Sequence, residues 1–322
     1  MGKAGPVDYF SGRVYTCKTM SEKNKGHKVL LSGVKPTGRP HIGNYFGAMK
    51  QFVDLQKAHP DAKKLFMIAD YHALNFIQNA GELKQNILDL ALDYLAIGID
   101  PKQSLIFKQS DVQAHTELAW IFDTITTMPY LMRAHAYKDA EARNKEIVVG
   151  TFNYPMLMAA DILLYDTTVV PVGKDQKQHV EYARDTAEKF NRTFDGAGSD
   201  IAGGSAGASA TFILPEPMIL ENLATVPGTD GQKMSKSYGN TIPLFASDEE
   251  IRKAVMSIVT DSSGEVPKNV YAIHSLFRPK AELEALYAEK AGKYKDLKEA
   301  LIADATAFIK PLRDRREALA QD

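Results

Sequence analysis

The sequence predicts an α/β protein: a doubly wound, Rossmann-like parallel sheet followed by a C-terminal α-helical domain. Three observations predict it. Short apolar runs at Val29–Leu31, Leu65–Asp70, Ser104–Gln109 and Val169–Val172 alternate with helical stretches across short loops, the pattern of a parallel sheet. The first run passes through the turn-rich Pro36-Thr37-Gly38-Arg39-Pro40 into a helix start. That geometry aims free N–H groups and a positive dipole end at any incoming anion. From Asp248 onward the apolar spacing is helical.

Composition narrows the class. A chain of 322 residues has room for two domains, and 44% hydrophobic with 25% charged residues is the balance of a globular chain with a sizeable core. No apolar run approaches the roughly 18 residues of a membrane span. The net charge of −1 neither supports nor excludes nucleic acid, because a folded RNA can be held by shape. A single cysteine, Cys17, excludes a disulfide framework, a cysteine zinc site and a cysteine-ligated cluster, and suits a reducing compartment. Residues 1–27 mix Gly, Pro and both charges without the apolar segment of a secretory signal. They read as a disordered leader, a tag or upstream sequence, with Met20 as the natural start. Arg13 and Lys18 would suit a transit peptide, and Asp8 argues against one.

Each element has its own signal. After the first strand, Tyr45, Ala48, Met49, Phe52 and Val53 form a helical stripe. His41 and Asn44 share a face in its first turn, Gly43 leaves that face open, and Gly47 is expected to let the helix pack closely. Tyr71-His72 follows the second strand, where open sheets present functional groups. Glu82–Ile97 is a helix ended by Gly98, and Glu117–Thr127 another. Arg133–Asn144 fits either a solvated surface helix or a lid that carries Lys138. Tyr154–Tyr165 is an apolar helix with Asp161 near its middle. That carboxylate needs an ion pair, a backbone partner or a ligand donor. Val169–Val172 ends at Gly173-Lys174-Asp175-Gln176, and a helix spans Lys177–Asn191. Residues 195–210 are a flexible Gly/Ala/Ser loop. Ser247 caps a helix over Ile251–Ile258, and Ala281–Ala318 reads as a helical hairpin or small bundle. The sheet domain is thus 28–192 with about 211–245, and the helical region about 246–322.

Two motifs carry chemistry. His41-Ile42-Gly43-Asn44 opens the first helix, and Lys233-Met234-Ser235-Lys236-Ser237 lies in a Gly-rich loop, two lysines three apart that can close on a polyphosphate. These resemble the HIGH and KMSKS signatures of class I aminoacyl-tRNA synthetases. With Tyr154-Pro155, the block Met158–Asp185 and the tail of KMSKSYGNTI, the chain resembles bacterial-type tryptophanyl-tRNA synthetase over roughly Val29–Leu312. The Val172-Gly173-Lys174-Asp175-Gln176 block differs from the Gly-Ser-Asp-Gln-Trp-Gly-Asn type of the tyrosyl relative.

The resemblance implies an ATP-dependent tryptophan–tRNA ligase. It forms tryptophanyl-adenylate and pyrophosphate, then transfers tryptophan to tRNA(Trp). It implies that His41 and Asn44 stabilise the phosphates and that Lys233 and Lys236 hold the leaving pyrophosphate. Lys35, Gly43, Gly173, Asp175, Met234, Ser235 and Ser237 complete the ATP contacts. Tryptophan is held by Leu31, Gly33, His72, Tyr154, Met158, Asp161, Ile162, Val170, Val172 and Gln176, with Asp161 accepting the indole N–H. Mg²⁺ arrives with ATP and needs no dedicated protein cage. The helical region reads the anticodon, the enzyme is a homodimer, and its place is the cytoplasm, or an organelle if the leader is a transit peptide. Lys35 stands where the family often has Gln, and Leu31 where an aromatic touches the indole. The helical region is expected to be short at its C-terminus. A tRNA- or tryptophan-binding regulator without charging activity, and a tyrosine-specific enzyme or another HIGH-type nucleotidyltransferase, are the rival readings.

Overall fold

The computed structural model describes residues 28–142, 146–173, 177–194, 210–219, 226–260 and 266–321. The leader, Asp175, Gln176 and residues 195–209 of the expected loop lie outside them. β1 (Val29–Val34) is the middle of a five-stranded sheet. β2 (Lys63–Ile68) and β3 (Leu105–Lys108) extend it on one side, β4 (Val169–Val172) and β5 (Glu216–Ile219) on the other. The order is β3-β2-β1-β4-β5, and all four pairings are parallel. Strand order reverses between β1 and β4, which opens a crevice at their C-terminal ends. At Gly33 an added Cβ would lie 3.1 Å from the Met67 carbonyl oxygen across the β1–β2 pair.

The sequence reading misses β5. It is four residues long, pairs Val170 with Pro217 and carries no buried residue. Proline lacks the N–H of a ladder, and an edge strand tolerates that loss.

Side chains on successive β2 residues point to opposite faces and feed two cores. Leu65 joins Val29, Leu31 and Val170 under α5 (Ala114–Ile125), α8 (Val149–Leu163) and α9 (Lys177–Phe194). Helix α8 starts before the Tyr154 that the sequence suggests, so Pro155 sits inside it. Phe66 and Ile68 face the other core with α4 (Ala80–Ala96), whose end is turned by Gly98 at φ +108°.

The helix after β1 is irregular. A short turn, α1 (Ile42–Asn44), leads through a π turn over Tyr45–Met49 into α2 (Lys50–Ala58). Tyr45, Met49 and Phe52 are buried as the stripe predicts. Gly47 does not serve close packing: a Cβ there would meet nothing within 4 Å.

Beyond β2 lie α3 (Asp70–Ala73), α6 (Met128–Leu131) and α7 (His135–Ala142). The C-terminal region is α10 (Asp248–Met256), α11 (Lys268–His274), α12 (Lys280–Glu289) and α13 (Tyr294–Leu319). Ser247 and Glu250 form the expected capping box on α10. α13 is tied to α4 by Arg316, whose Nε donates to Asp93 Oδ1 at 2.5 Å and Nη2 to Asp89 Oδ1 at 2.6 Å. Leu297, Leu301, Ala305 and Ile309 share one core with Ile42, Tyr45 and Met49. Apolar packing thus runs without a break across residue 246. No helix among the described residues is long and apolar enough to cross a membrane.

Candidate active site

After β1, backbone pairing joins the segments that carry the two motifs. Ile42 N–H donates to the Ile242 carbonyl at 2.9 Å, and Leu244 N–H to the Pro40 carbonyl at 2.9 Å. His41 and Pro243 thereby form an antiparallel bridge. Lys236 Nζ reaches back to the carbonyls of Thr37 at 3.0 Å and Gly38 at 2.9 Å. Segments almost 200 residues apart become one cradle.

His41 caps the helix start. Its Nδ1 accepts from Asn44 N–H at 3.2 Å, while Asn44 Oδ1 accepts from His41 N–H at 3.0 Å. An accepting Nδ1 carries no proton, so the neutral ring holds its hydrogen on Nε2. Burial, with the Lys236 charge added, pushes the His41 imidazole down to about 4. At neutral pH it is therefore an uncharged donor. Gly43 does more than leave a face open, because a Cβ would lie 2.8 Å from His41 Nδ1. Asn44 is exposed.

The lysine loop is built around Asn240, a residue the sequence reading passes over. Asn240 is buried at 2% exposure. Its Nδ2 donates to Asp230 Oδ1 at 2.7 Å and the Lys233 carbonyl at 3.2 Å, and its Oδ1 accepts from Ser235 N–H at 2.8 Å. The Met234 side chain lies in the core, 4% exposed. Lys233 and Ser237 are exposed, and the Ser235 and Ser237 hydroxyls bond each other at 2.8 Å. Exposed Lys35 holds its ammonium 4.5 Å from the centre of the Phe76 ring. Gly173 is buried directly after β4.

A second cluster lies at the C-terminal ends of β2 and β3. Asp161 is 2% exposed. Its Oδ2 accepts from His72 Nε2 at 2.8 Å and its Oδ1 from Gln109 Nε2 at 2.7 Å. His115 Nδ1 stands 2.7 Å from the same Oδ1, off the line of a hydrogen bond. Burial alone would raise the carboxyl, but the imidazoles of His115 and His72 outweigh it and hold Asp161 below the usual carboxylate range. Tyr154 donates to or accepts from His179 Nε2 at 3.0 Å. Burial first, then Tyr182, pushes the Tyr154 phenol up to about 12.

The residues expected around tryptophan divide. His72 and Tyr154 border a cavity of about 260 Å³ with Tyr71, Asn75, Trp120 and Asn153. Leu31, Ile162 and Val170 are buried in the core beneath, with Met158 and Val172 packed on it. Gln109 and His115 escaped the sequence reading. The position of Gln109 at a strand end was the available signal; nothing local marks His115.

Comparison with known proteins agrees with this geometry. The family described as tRNA synthetases class I (W and Y) matches residues 23–307. A tryptophan–tRNA ligase of Fusobacterium nucleatum is 47% identical over 300 residues, covering 91% of this chain and 87% of its own. One from Rhodopirellula baltica is 44% identical over 302 residues, with 91% and 89% covered. The crystal structure of Campylobacter jejuni tryptophanyl-tRNA synthetase complexed with ADP and tryptophan matches at a TM-score of 0.78 and 42% identity, covering 92% of this chain and 90% of that one. This chain belongs to the class I tRNA synthetases of the tryptophanyl and tyrosyl family.

Proposed function

We propose that the protein is a tryptophan–tRNA ligase. It joins L-tryptophan to ATP, giving tryptophanyl-adenylate and pyrophosphate, and then esterifies tRNA(Trp). The observation that carries this reading is the Lys236 ammonium on the Thr37 and Gly38 carbonyls, which sets the Lys233–Ser237 loop against the segment that leads into His41.

In the first step a carboxylate oxygen of tryptophan attacks the α-phosphorus. The new O–P bond forms as the bond to the β-phosphate oxygen breaks, and the electron pair leaves with pyrophosphate. Such transfer needs alignment and charge stabilisation more than protein nucleophiles. His41 donates Nε2–H to a phosphate oxygen, supported by Asn44. Lys236 exchanges the Thr37 and Gly38 carbonyls for the departing phosphates, and Lys233 joins it. Lys35, Gly43, Gly173, Asp175, Ser235 and Ser237 border the nucleotide. The cradle's donors are N–H groups and ammoniums, which suit phosphate rather than a cation. Mg²⁺ would arrive on ATP and would supply neutralisation of phosphate charge there.

Asp161 takes the indole N–H, with His72, Tyr154, Gln176 and Gly33 around the substrate and the apolar residues Leu31, Met158, Ile162, Val170 and Val172 forming the floor in the core beneath it. A phenylalanine ring would leave that acceptor unpaired and be rejected. In the second step the terminal ribose hydroxyl attacks the aminoacyl carbon and AMP leaves. We assign residues 28–192 with about 211–245 to catalysis and about 246–322 to the anticodon, and place the enzyme in the cytoplasm. The exposed Trp120, Met128 and Met132 support a homodimer.

The test is pyrophosphate exchange with each of the twenty amino acids, then charging of total tRNA. Exchange with tryptophan alone, followed by charging, is expected. Exchange without charging would favour a regulator, and exchange with tyrosine would overturn the specificity.

A further inference from the structure

The two oxygens of Asp161 have different surroundings. Oδ1 faces the interior, where it accepts from Gln109 Nε2 at 2.7 Å and lies 2.7 Å from His115 Nδ1. Gln109 and His115 are both 0% exposed. Behind them His115 Nε2 meets the Tyr165 hydroxyl at 2.9 Å. The His115 ring is held by Phe107, stacked at 6.4 Å, and by Tyr165 at 5.5 Å. Oδ2 has one partner, His72 Nε2 at 2.8 Å, whose side chain is 12% exposed and borders the cavity. A carboxylate oxygen accepts about two hydrogen bonds. The interior oxygen has both its neighbours in the inaccessible core, and the other oxygen has capacity left beyond His72, which borders the cavity.

We propose that Gln109, His115 and Tyr165 are positioning residues for amino-acid specificity: they anchor the rear oxygen of Asp161 from the core so that the front oxygen stays fixed and open toward the substrate's ring N–H. The proposal rests on Asp161 as the tryptophan acceptor. None of the three touches the substrate. Proton placement is consistent along the row. With its hydrogen on Nδ1, 2.7 Å from the carboxylate though off the line of a hydrogen bond, His115 leaves Nε2 to accept from the Tyr165 hydroxyl. Gln109 can offer only its amide N–H to a carboxylate. Without these groups the carboxylate could rotate and turn its acceptor from the ring, which costs recognition of N–H more than catalysis.

The experiment compares pyrophosphate exchange with tryptophan and with a benzothiophene analogue whose ring N–H is replaced by sulfur, in the full-length enzyme. The readout is the ratio of the two kcat/KM values. Replacing the anchor with His115→Leu is expected to lower that ratio roughly tenfold through the tryptophan KM, with kcat and the ATP KM unchanged. His115→Asn keeps an N–H near the Nδ1 position and is expected to restore most of the ratio. Tyr165→Phe, which removes one hydroxyl and keeps the ring, is expected to lower it about twofold and remains informative if the leucine variant does not fold. Asp161→Asn must keep its carbonyl toward Gln109 and His115, so its NH₂ faces the ring N–H, donor against donor, and the ratio collapses. Equal ratios for His115→Leu, His115→Asn and wild type would overturn the positioning role, as would equal losses in both variants. An unchanged ratio in Asp161→Asn would instead overturn the acceptor reading beneath it.

Discussion

The phosphate cradle and the Asp161 cluster solve different problems with different materials. The cradle is made mostly of backbone and of side chains at its rim. Carbonyls of Thr37 and Gly38 hold the Lys236 ammonium, and exposed Lys233 and Lys236 present charge that can move onto a ligand. The Asp161 cluster is made of side chains from three separate segments. Asp161, Gln109 and His115 are essentially inaccessible, so their polar groups face one another inside the protein rather than water. An anion site for a flexible polyphosphate tolerates motion and gains from it. A site that separates an indole N–H from a plain ring needs a fixed acceptor. The first region should therefore set the rate and the second the choice of substrate.

The sharpest way to break that division is at Lys236. Lys236→Ala is expected to lower kcat for pyrophosphate exchange by roughly 10²–10³, the scale for losing one preorganised charged donor at a transition state. Tryptophan affinity by calorimetry should hardly change, because the ammonium bonds only the Thr37 and Gly38 carbonyls. A large loss of tryptophan affinity would mean that the regions are not separable.

Asn240 tests whether the rim needs a rigid base. Its amide joins Asp230, Lys233 and Ser235. Replacing it with alanine strands these groups at a buried position, at a cost of about 1–3 kcal/mol. Asn240→Ala should lower Tm and raise the ATP KM, leaving the tryptophan KM unchanged. Stable protein with normal ATP kinetics would show that the loop is ordered by other means.

His41 bears on charge in the cradle. Its folded value of about 4 lies below the ordinary 6.5. Between these values the unfolded chain binds more protons, so stability rises with pH through this window and is lost as pH falls from 6.5 toward 4. The contribution is at most about 2 kcal/mol after solvent screening. Urea unfolding across pH 4–7 should show a steeper decline for the wild type than for His41→Asn. Bound ATP, bringing negative charge to the ring, should raise the imidazole midpoint in an NMR titration.

The contrast also explains what was legible in the sequence. The cradle's parts are local: a strand, a glycine turn and a capped helix are written in consecutive residues, and so is the lysine loop. The parallel sheet followed from alternation, and α10 from its Ser247 cap. The fifth strand was hidden because an exposed edge strand with Pro217 lacks both alternation and an apolar run. Continuous packing across residue 246 was hidden because Ile42 and Ile309 share a core only once α13 folds back. His115 was illegible for the same reason. It matters to Asp161 through a contact between residues 46 positions apart, and no local pattern marks it.

Gly47 gives the smallest effect, and it falls on the rim. A packing role was expected there, yet a Cβ would touch nothing. In the unliganded protein Gly47→Ala should therefore be stabilising, by about 0.5–1 kcal/mol, since alanine restricts the unfolded chain and favours the helix. A glycine with open space above it, four residues beyond Gly43 in the cradle's helix, suits a ligand that approaches the backbone closely. Gly47→Ala is accordingly expected to raise Tm without ligand and to raise the ATP KM several-fold, the scale of a modest steric clash, with the tryptophan KM unchanged. If Tm rises and ATP kinetics stay the same, the space above Gly47 is not nucleotide space, and the rim of the cradle ends at Gly43.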